Sequence, residues 1–369
     1  MITYAEINLE AARRNSVLIK EKAGRNTAVM AVVKADAYSH GAVEIANAFL
    51  EGGAGFLAVA DSSEGIKLRS CPAVSHAGRI VILNPILPEE ADNILEYDLT
   101  PTVDNLEIPE LLSKKAKKKV KIHVEVDTGM GRGGFIPDEA VPKLTRINQL
   151  KNIVIEGIFT HFPSAEDRDF TMGQIAKFKE ILLNLENAGI NIRYKHSANS
   201  AGLLNYPDSL FNMVRPGLCL YGIFPPSTAN RDTALEPVLV LKSKIINIRE
   251  VPKGTTLSYG RTYTTTRKTL IGTIPAGYSC GYDRRLSNRA EVLVRGKRCP
   301  IAGTICMDSF LIDLSDIPGA ETGDETVLIG KQGNESISVE ELAEKAGTVS
   351  HEIIARLRVP RTYTGLSCK

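Results

Sequence analysis

From residue 28 onward, short apolar runs alternate with stretches of helical period, the pattern of repeated strand–helix units wound around a parallel sheet. The runs at 29–33, 56–60, 80–83, 100–103, 121–126, 154–159, 192–196 and 212–215 have the length and β-branched content of buried strands. Between them, helical segments are expected at 42–50, 62–69, 89–95, 105–118, 138–148 and 168–187, with a short one opening at Ser200. Gly52 and Gly53 stop the first of these, and Asp61, with Glu64 three residues on, opens the second. Eight strands with interleaved helices suit a (β/α)8 TIM-type barrel, expected over residues 1–230.

Beyond Pro225 and Pro226 the period changes. Residues 238–251 lack a helical repeat, and Pro252-Lys253-Gly254 reads as a turn. Residues 289–294, turning through Arg295-Gly296-Lys297, are expected to pair with 300–313 as a hairpin. Only 339–346 reads as a helix, so residues 231–369 are expected to form a mostly β C-terminal domain after the barrel.

Composition narrows the function classes. The chain carries 45 basic and 43 acidic residues, a net charge of +2, which suggests no nucleic-acid or other polyelectrolyte partner. Its one basic run, 114–121, reads as a solvated helix end running into a strand. No segment approaches the roughly 18 apolar residues of a membrane span, and residues 1–14, with Glu6 and Glu10, lack the apolar core of a signal peptide. A cytoplasmic protein with no membrane segment is therefore expected. The six cysteines show no Cys-x-x-Cys spacing, which fits reduced thiols and argues against zinc. His123, Glu125 and Asp127 would share a strand face, but with no further His or Cys pattern no metal is expected there.

In a barrel of this kind the chemistry gathers at the C-terminal ends of the strands. The first strand delivers Lys34, with Tyr38 just beyond; next to an apolar wall its ammonium is poorly solvated, so a free amine able to attack a carbonyl becomes accessible. The fifth strand ends in Glu125-Val126-Asp127-Thr128-Gly129-Met130-Gly131-Arg132, where glycines let backbone approach a ligand and Arg132 offers a planar charged fork. The sixth ends at Thr160-His161-Phe162, the seventh at His196-Ser197-Ala198-Asn199-Ser200 and the eighth at Arg215-Pro216-Gly217-Leu218. Ser200 and Gly217 fall after strands seven and eight, where such barrels recurrently bind phosphate. Each group has a plainer reading: a rim lysine, a helix cap, a tight turn, a surface ion pair. Their coincidence on one face points to pyridoxal phosphate held by a Schiff-base lysine.

Over nearly its whole length the sequence closely resembles the alanine racemase family of fold-type III pyridoxal phosphate enzymes. The matching motifs are Ala5-Glu6-Ile7-Asn8-Leu9, Val33-Lys34-Ala35-Asp36-Ala37-Tyr38-Ser39-His40-Gly41, residues 126–132, Thr160-His161-Phe162, Asn199-Ser200, Met213-Val214-Arg215, Leu257-Ser258-Tyr259-Gly260, Gly277-Tyr278, Ile305-Cys306-Met307-Asp308 and Arg358-Val359-Pro360-Arg361. The resemblance implies racemisation of L- and D-alanine for cell-wall synthesis, with Lys34 carrying pyridoxal 5'-phosphate and Tyr259 as a second, opposed base. It implies Arg215 at the pyridine nitrogen, Arg132 at the phenolic oxygen, and Tyr38, Ser200, Gly217 and Leu218 at the phosphate, with His161 and Asn199 completing the cofactor site. An arginine at that nitrogen, instead of a carboxylate, should keep it unprotonated and suppress transamination. Arg132, Tyr278, Met307 and Leu357 would line the amino-acid substrate. The family's active sites are shared across a homodimer, which implies that the partner subunit supplies Tyr259, Tyr278 and Met307.

Three positions depart from the family pattern. Glu125 stands where a carbamylated lysine is frequent, so Arg132 should be oriented by an ordinary carboxylate. Leu357 replaces a tyrosine that narrows the substrate pocket, which opens the alternative of serine or broader amino-acid specificity. Ser279-Cys280-Gly281 replaces Ala-Asp-Gly, with little chemical consequence expected. A non-catalytic pyridoxal phosphate-binding protein is the main rival from another class, and the long C-terminal domain with Tyr259, Tyr278 and Met307 argues against it.

Overall fold

The computed structural model describes residues 1–75, 78–226, 228 and 231–365. Two compact units divide the chain: Ala12–Ala37 with Ala42–Leu235, and Met1–Ala11 with Tyr38–Gly41 and Glu236–Lys369. Residue 230, where the sequence places the domain boundary, lies outside the described residues; the units change at Leu235–Glu236.

The first unit is the expected barrel. Its strands are Ala28–Val32, Phe56–Val59, Arg79–Pro85, Thr100–Val103, Val120–Glu125, Ile153–Phe159, Tyr194–His196 and Met213–Val214. Each pairs in parallel with its sequence neighbour through the seventh strand, and Met213–Val214 pairs back onto Ala28–Val32. The last seam is bridged by Lys195 N–H to Asn212 Oδ1 at 2.7 Å and Arg215 N–H to the Ala198 carbonyl at 2.8 Å. Met30, Ala31, Leu57, Ala58, Ile80, Val81, Ile82, Ile122, Val124 and Ile158 are buried, as parallel strands covered on both faces require. The helix Ser62–Arg69 begins where expected, with Asp61 Oδ1 accepting the Glu64 N–H at 3.0 Å.

The segment after the first barrel strand is less expected. Lys34–Ser39 is helical, but Ala35, Asp36, Ala37, Tyr38 and Ser39 all have φ between 51° and 64°, so the turn is left-handed. Side chains with a Cβ disfavour this by about 1–2 kcal/mol per residue, and the segment is held by specific bonds. Glu64 Oε1 accepts the Ala35 N–H at 2.7 Å, Asp36 Oδ1 accepts the Ala42 N–H at 3.1 Å, and the Val33 carbonyl accepts the Ala37 N–H at 2.9 Å.

The second unit is mostly β, with an N-terminal contribution that the sequence reading assigned to the barrel. Tyr4–Asn8 is a strand in which Ala5 and Ile7 are buried and their neighbours half-buried, the period of two of a sheet. It lies between Leu239–Lys244, antiparallel, and Arg361–Thr364, parallel, within a seven-stranded sheet that also holds Glu325–Gln332, Glu291–Val294, Lys297–Pro300 and Glu335–Ile337. The hairpin from Glu291 closes sooner than expected: Arg295 (φ 51°) and Gly296 (φ 74°) form a two-residue turn, so Glu291–Val294 pairs with Lys297–Pro300. Phe310–Asp313 instead joins a second sheet against Thr269–Ile274, with Asn247–Val251 on that strand's other edge. Besides Val339–Ala346, a second short helix spans Ser350–Ala355.

Candidate active site

In the barrel unit the strand ends gather much of the expected chemistry. Burial, and the Arg132 guanidinium nearby, hold the Lys34 ammonium below its ordinary pKa, while Glu64 pulls it the other way. A lysine so placed is more readily a neutral nucleophile than one in water. Glu125 is buried at the end of its strand, with Oε1 3.8 Å from Arg132 Nη2. Burial raises its carboxyl, and Arg132 and Arg215 counter that effect. The following loop is folded around Asp127, whose Oδ1 accepts the N–H groups of Gly129 and Met130 at 2.8 and 2.7 Å, and whose Oδ2 accepts that of Gly131 at 2.8 Å.

Arg215 is 4% exposed, and among the described residues it has no carboxylate within ion-pair distance. Its Nη1 donates to His196 Nδ1 at 2.8 Å and to the His196 carbonyl at 2.9 Å; Nη2 donates to the carbonyls of Thr160 at 2.7 Å and Ser197 at 3.3 Å, and meets His161 Nδ1 at 3.5 Å. The guanidinium also lies over the Phe159 ring, 4.8 Å from its centroid. Burial pushes its pKa down to about 10, which leaves it charged at neutral pH. All of these bonds use the terminal nitrogens, so the Nε–H is left for a ligand acceptor.

Ser200 opens the short helix Ser200–Asn205, capped by Asn199, whose Oδ1 accepts the Gly202 N–H at 2.9 Å. Ser200 Oγ accepts from the N–H groups of Gly217 at 2.9 Å and Cys219 at 3.3 Å. Cys219 Sγ also lies 3.3 Å from Ser200 Oγ; with both lone pairs used by N–H groups, the hydroxyl proton is shared between that sulfur and an outward direction, the one a phosphate oxygen requires. The residues at these strand ends therefore fit pyridoxal phosphate: a low-pKa lysine, a buried arginine with one spare donor, and a serine tied to the Gly217–Cys219 backbone.

In the β unit, three loops carry the other candidates. Ser258 Oγ donates to the Thr304 carbonyl at 2.6 Å, and Thr304 Oγ1 donates to the Tyr259 carbonyl at 2.8 Å. Tyr278 N–H donates to the Cys306 carbonyl at 3.2 Å, and Ser279 N–H to that of Met307 at 3.0 Å. A Cβ on Gly277 would lie 2.2 Å from the Met307 carbonyl oxygen, so only glycine permits this approach. Tyr259, Tyr278 and Met307 are thus linked on one surface, 73%, 41% and 54% exposed. Ser258, at φ 61° and ψ −178°, holds a backbone conformation normally confined to glycine, the kind of strain that collects at functional loops. Leu357 is buried beside the same region: Arg358 N–H donates to the Cys280 carbonyl at 2.9 Å, and a Cβ on Gly281 would lie 2.8 Å from the Leu357 Cα. Tyr38, assigned to the phosphate by the resemblance, is buried edge-on against the His351 ring, with centroids 5.5 Å apart.

Known proteins match both units. A family model described as the alanine racemase N-terminal domain matches residues 7–225, and one described as the alanine racemase C-terminal domain matches residues 238–363. The chain belongs to the alanine racemase family. Alanine racemase of Halothermothrix orenii is 45% identical over 368 residues, 98% of this chain and 96% of that relative, and alanine racemase of Carboxydothermus hydrogenoformans is 42% identical over 98% and 99%. Among solved structures, alanine racemase of Clostridium difficile superposes with a TM-score of 0.92 at 36% identity, covering 99% of this chain and 96% of that one. Alanine racemase from E. faecalis gives 0.91 at 35%, covering 98% of each. The family depends on pyridoxal 5'-phosphate.

Some residues near the site carry little signal in the sequence. His196 reads there only as a strand end, although it accepts from Arg215, and His123 only as a rejected metal ligand, although its Nδ1 lies 2.9 Å from His196 Nε2. Glu156 carried one signal, a carboxylate at a buried position of an otherwise apolar strand.

Proposed function

We propose that this protein is a pyridoxal phosphate-dependent alanine racemase, interconverting L- and D-alanine with Lys34 and Tyr259 as opposed bases. The observation that carries the reading is the combination of a half-buried, low-pKa Lys34 at a barrel strand end with Arg215, whose terminal nitrogens are engaged by described residues while its Nε–H is not. When bound, the cofactor supplies the electron sink for the α-carbanion. Ser200, Gly217 and Leu218 would hold its phosphate, His161 and Asn199 would support the pocket, and Arg215 would donate to its ring nitrogen without surrendering a proton. Arg132, oriented by Glu125, binds the phenolic oxygen and the substrate carboxylate. Inversion requires a proton to leave one face of the α-carbon and another to arrive on the opposite face; Lys34 holds or takes the proton on one face and Tyr259 on the other.

The exposed surface formed by Tyr259, Tyr278 and Met307 supports a homodimer in which this surface serves the partner's barrel. A cytoplasmic location and D-alanine supply for the cell wall follow from the same reading. The test is incubation of purified protein with L-alanine alone and with D-alanine alone, following both enantiomers by chiral chromatography beside a Lys34→Ala control. Approach to equal amounts from either side, abolished in the control, is expected; an oxo acid or carbon dioxide as the main product overturns the reading.

A further inference from the structure

Arg215 is the upper end of a line of polar side chains that descends through the barrel. His196 Nδ1 accepts from Arg215 Nη1 at 2.8 Å, and the other His196 nitrogen, Nε2, lies 2.9 Å from His123 Nδ1. The second nitrogen of His123, Nε2, faces Glu156 Oε2 at 3.9 Å, within ion-pair but beyond hydrogen-bond distance, and among the described residues neither of these two buried atoms has a hydrogen-bond partner. Glu156 Oε1 in turn is 2.8 Å from Arg79 Nη1 and 3.5 Å from Lys121 Nζ. His196 and His123 are fully buried and Glu156 nearly so, whereas Arg79 and Lys121 reach solvent. Branched aliphatic side chains ordinarily fill a barrel interior, and burying a carboxylate there is costly unless it is paired.

The backbone is adapted to this line at two points. Ile122 pairs with Ile155 but His123 with Gly157, so Glu156 is the extra residue of a bulge that turns its carboxylate toward His123. At Gly157, a Cβ would lie 2.5 Å from two atoms of the His123 ring, so glycine makes the space the imidazole occupies. The Phe159 ring stacks on His196 at 18°, 5.0 Å between centroids, fixing its plane.

The hydrogen bonds admit one polarity. Arginine only donates, so His196 Nδ1 must be unprotonated and its proton sits on Nε2; that proton goes to His123 Nδ1, which places the His123 proton on Nε2, toward the acceptor-only carboxylate. We propose that Glu156 is a positioning residue for Arg215: its carboxylate, facing His123 Nε2 at 3.9 Å, favours the proton on that nitrogen and so fixes the tautomers of both histidines, with His196 presenting a lone pair to the guanidinium. Burial, with Arg215 acting on each ring, keeps both imidazoles neutral, so the chain does not reverse by titration. The proposal rests on the reading of Arg215 as the ring-nitrogen donor.

Glu156→Gln supplies a donor in place of the carboxylate. Its amide can donate to His123 Nε2, reverse both tautomers and set a His196 N–H against an Arg215 N–H. The test uses holoenzyme labelled with 15N-histidine, reading tautomers by nitrogen NMR alongside kcat, KM and the cofactor absorption spectrum. Wild-type protein is expected to show His123 and His196 neutral and protonated on Nε2; a proton on His196 Nδ1 overturns the proposal whatever the variants do. Glu156→Gln is expected to populate the reversed tautomers, alter the cofactor spectrum and lower kcat by about tenfold to a hundredfold, the loss of one bond to a charged group, with little change in KM. Arg79→Gln, which leaves Glu156 an acceptor, is expected to keep the tautomers and kcat. A Glu156→Gln enzyme with native tautomers and kcat, lowered only in melting temperature, makes the residue structural and overturns the proposal, as does an equal kcat loss in Arg79→Gln. Loss of racemisation in wild-type protein would instead remove the functional reading while leaving the tautomer result standing.

Discussion

Glu64 is the residue on which the conformation of the Lys34 segment most depends. Its Oε1 accepts the Ala35 N–H at 2.7 Å and its Oε2 the Ala60 N–H at 2.8 Å, so one carboxylate ties the first residue of the left-handed turn to the end of the next strand. Bonds to a charged acceptor contribute about 1.5–3 kcal/mol each; with one of these at the exposed surface, the low end applies, giving about 3 kcal/mol for the pair. A barrel of this size shifts by about 2–4 °C per kcal/mol, so Glu64→Ala is expected to lower the melting temperature by about 6–12 °C. Glu64→Gln, which keeps one acceptor oxygen, should lose about half as much. The local effect should exceed the global one, because five residues that each disfavour the left-handed region by about 1–2 kcal/mol lose their anchor next to Lys34. Thermal melts of holoenzyme, with cofactor retention followed by absorbance through gel filtration, check this. A Glu64→Ala protein that melts within about 1 °C of wild type and keeps its cofactor refutes the reasoning.

Four other outcomes follow from the same geometry. Because Glu125 is a carboxylate without modification, enzyme prepared free of bicarbonate should keep full activity, and a bicarbonate requirement would contradict its role beside Arg132. Leu357 packs beside the loop that carries Tyr278, so Leu357→Tyr should lower kcat/KM for serine relative to alanine; an unchanged ratio rejects a role for this position. The lowered Lys34 pKa means that the neutral amine persists to lower pH than for an ordinary lysine, so the pH midpoint for cofactor uptake by apoenzyme should lie below the lysine value, near 10.4 in model peptides, and a midpoint at or above it refutes the assignment. Mixing Lys34→Ala and Tyr259→Phe proteins should restore racemisation, since a hybrid dimer contains one site with both bases; no recovery despite demonstrated subunit exchange argues against shared sites.

Much of the barrel was legible because strands such as Phe56–Val59, Arg79–Pro85 and Ile153–Phe159 are largely apolar, β-branched runs beside Gly55, Gly78 and Asn152, the composition of parallel strands buried on both faces, whereas Tyr194–His196 lacks it. The left-handed turn was not, since Ala35, Asp36, Ala37, Tyr38 and Ser39 include no glycine and the conformation is imposed by Glu64 and Asp36 through bonds distant along the chain. The N-terminal strand Tyr4–Asn8 was hidden because it passes directly into the helix Leu9–Ala23, so its period of two merges into an amphipathic stretch. Lys34, Arg132, Ser200 and Arg215 could be collected from strand ends alone. The polar line beneath Arg215 could not, because it depends on a bulge that puts Glu156 opposite His123, and register is a tertiary property. Nor does sequence show that Tyr259, Tyr278 and Met307 share one exposed surface, which three interlocked loops create.

In the proposed reaction two different side chains serve the two faces of the α-carbon. This is tested most directly by following deuterium uptake at that carbon in heavy water, with each alanine enantiomer and the Tyr259→Phe holoenzyme. One enantiomer is expected to exchange its α-hydrogen with retained configuration, through Lys34 alone, while inversion falls steeply. Inversion of both enantiomers at the wild-type rate would contradict that reading.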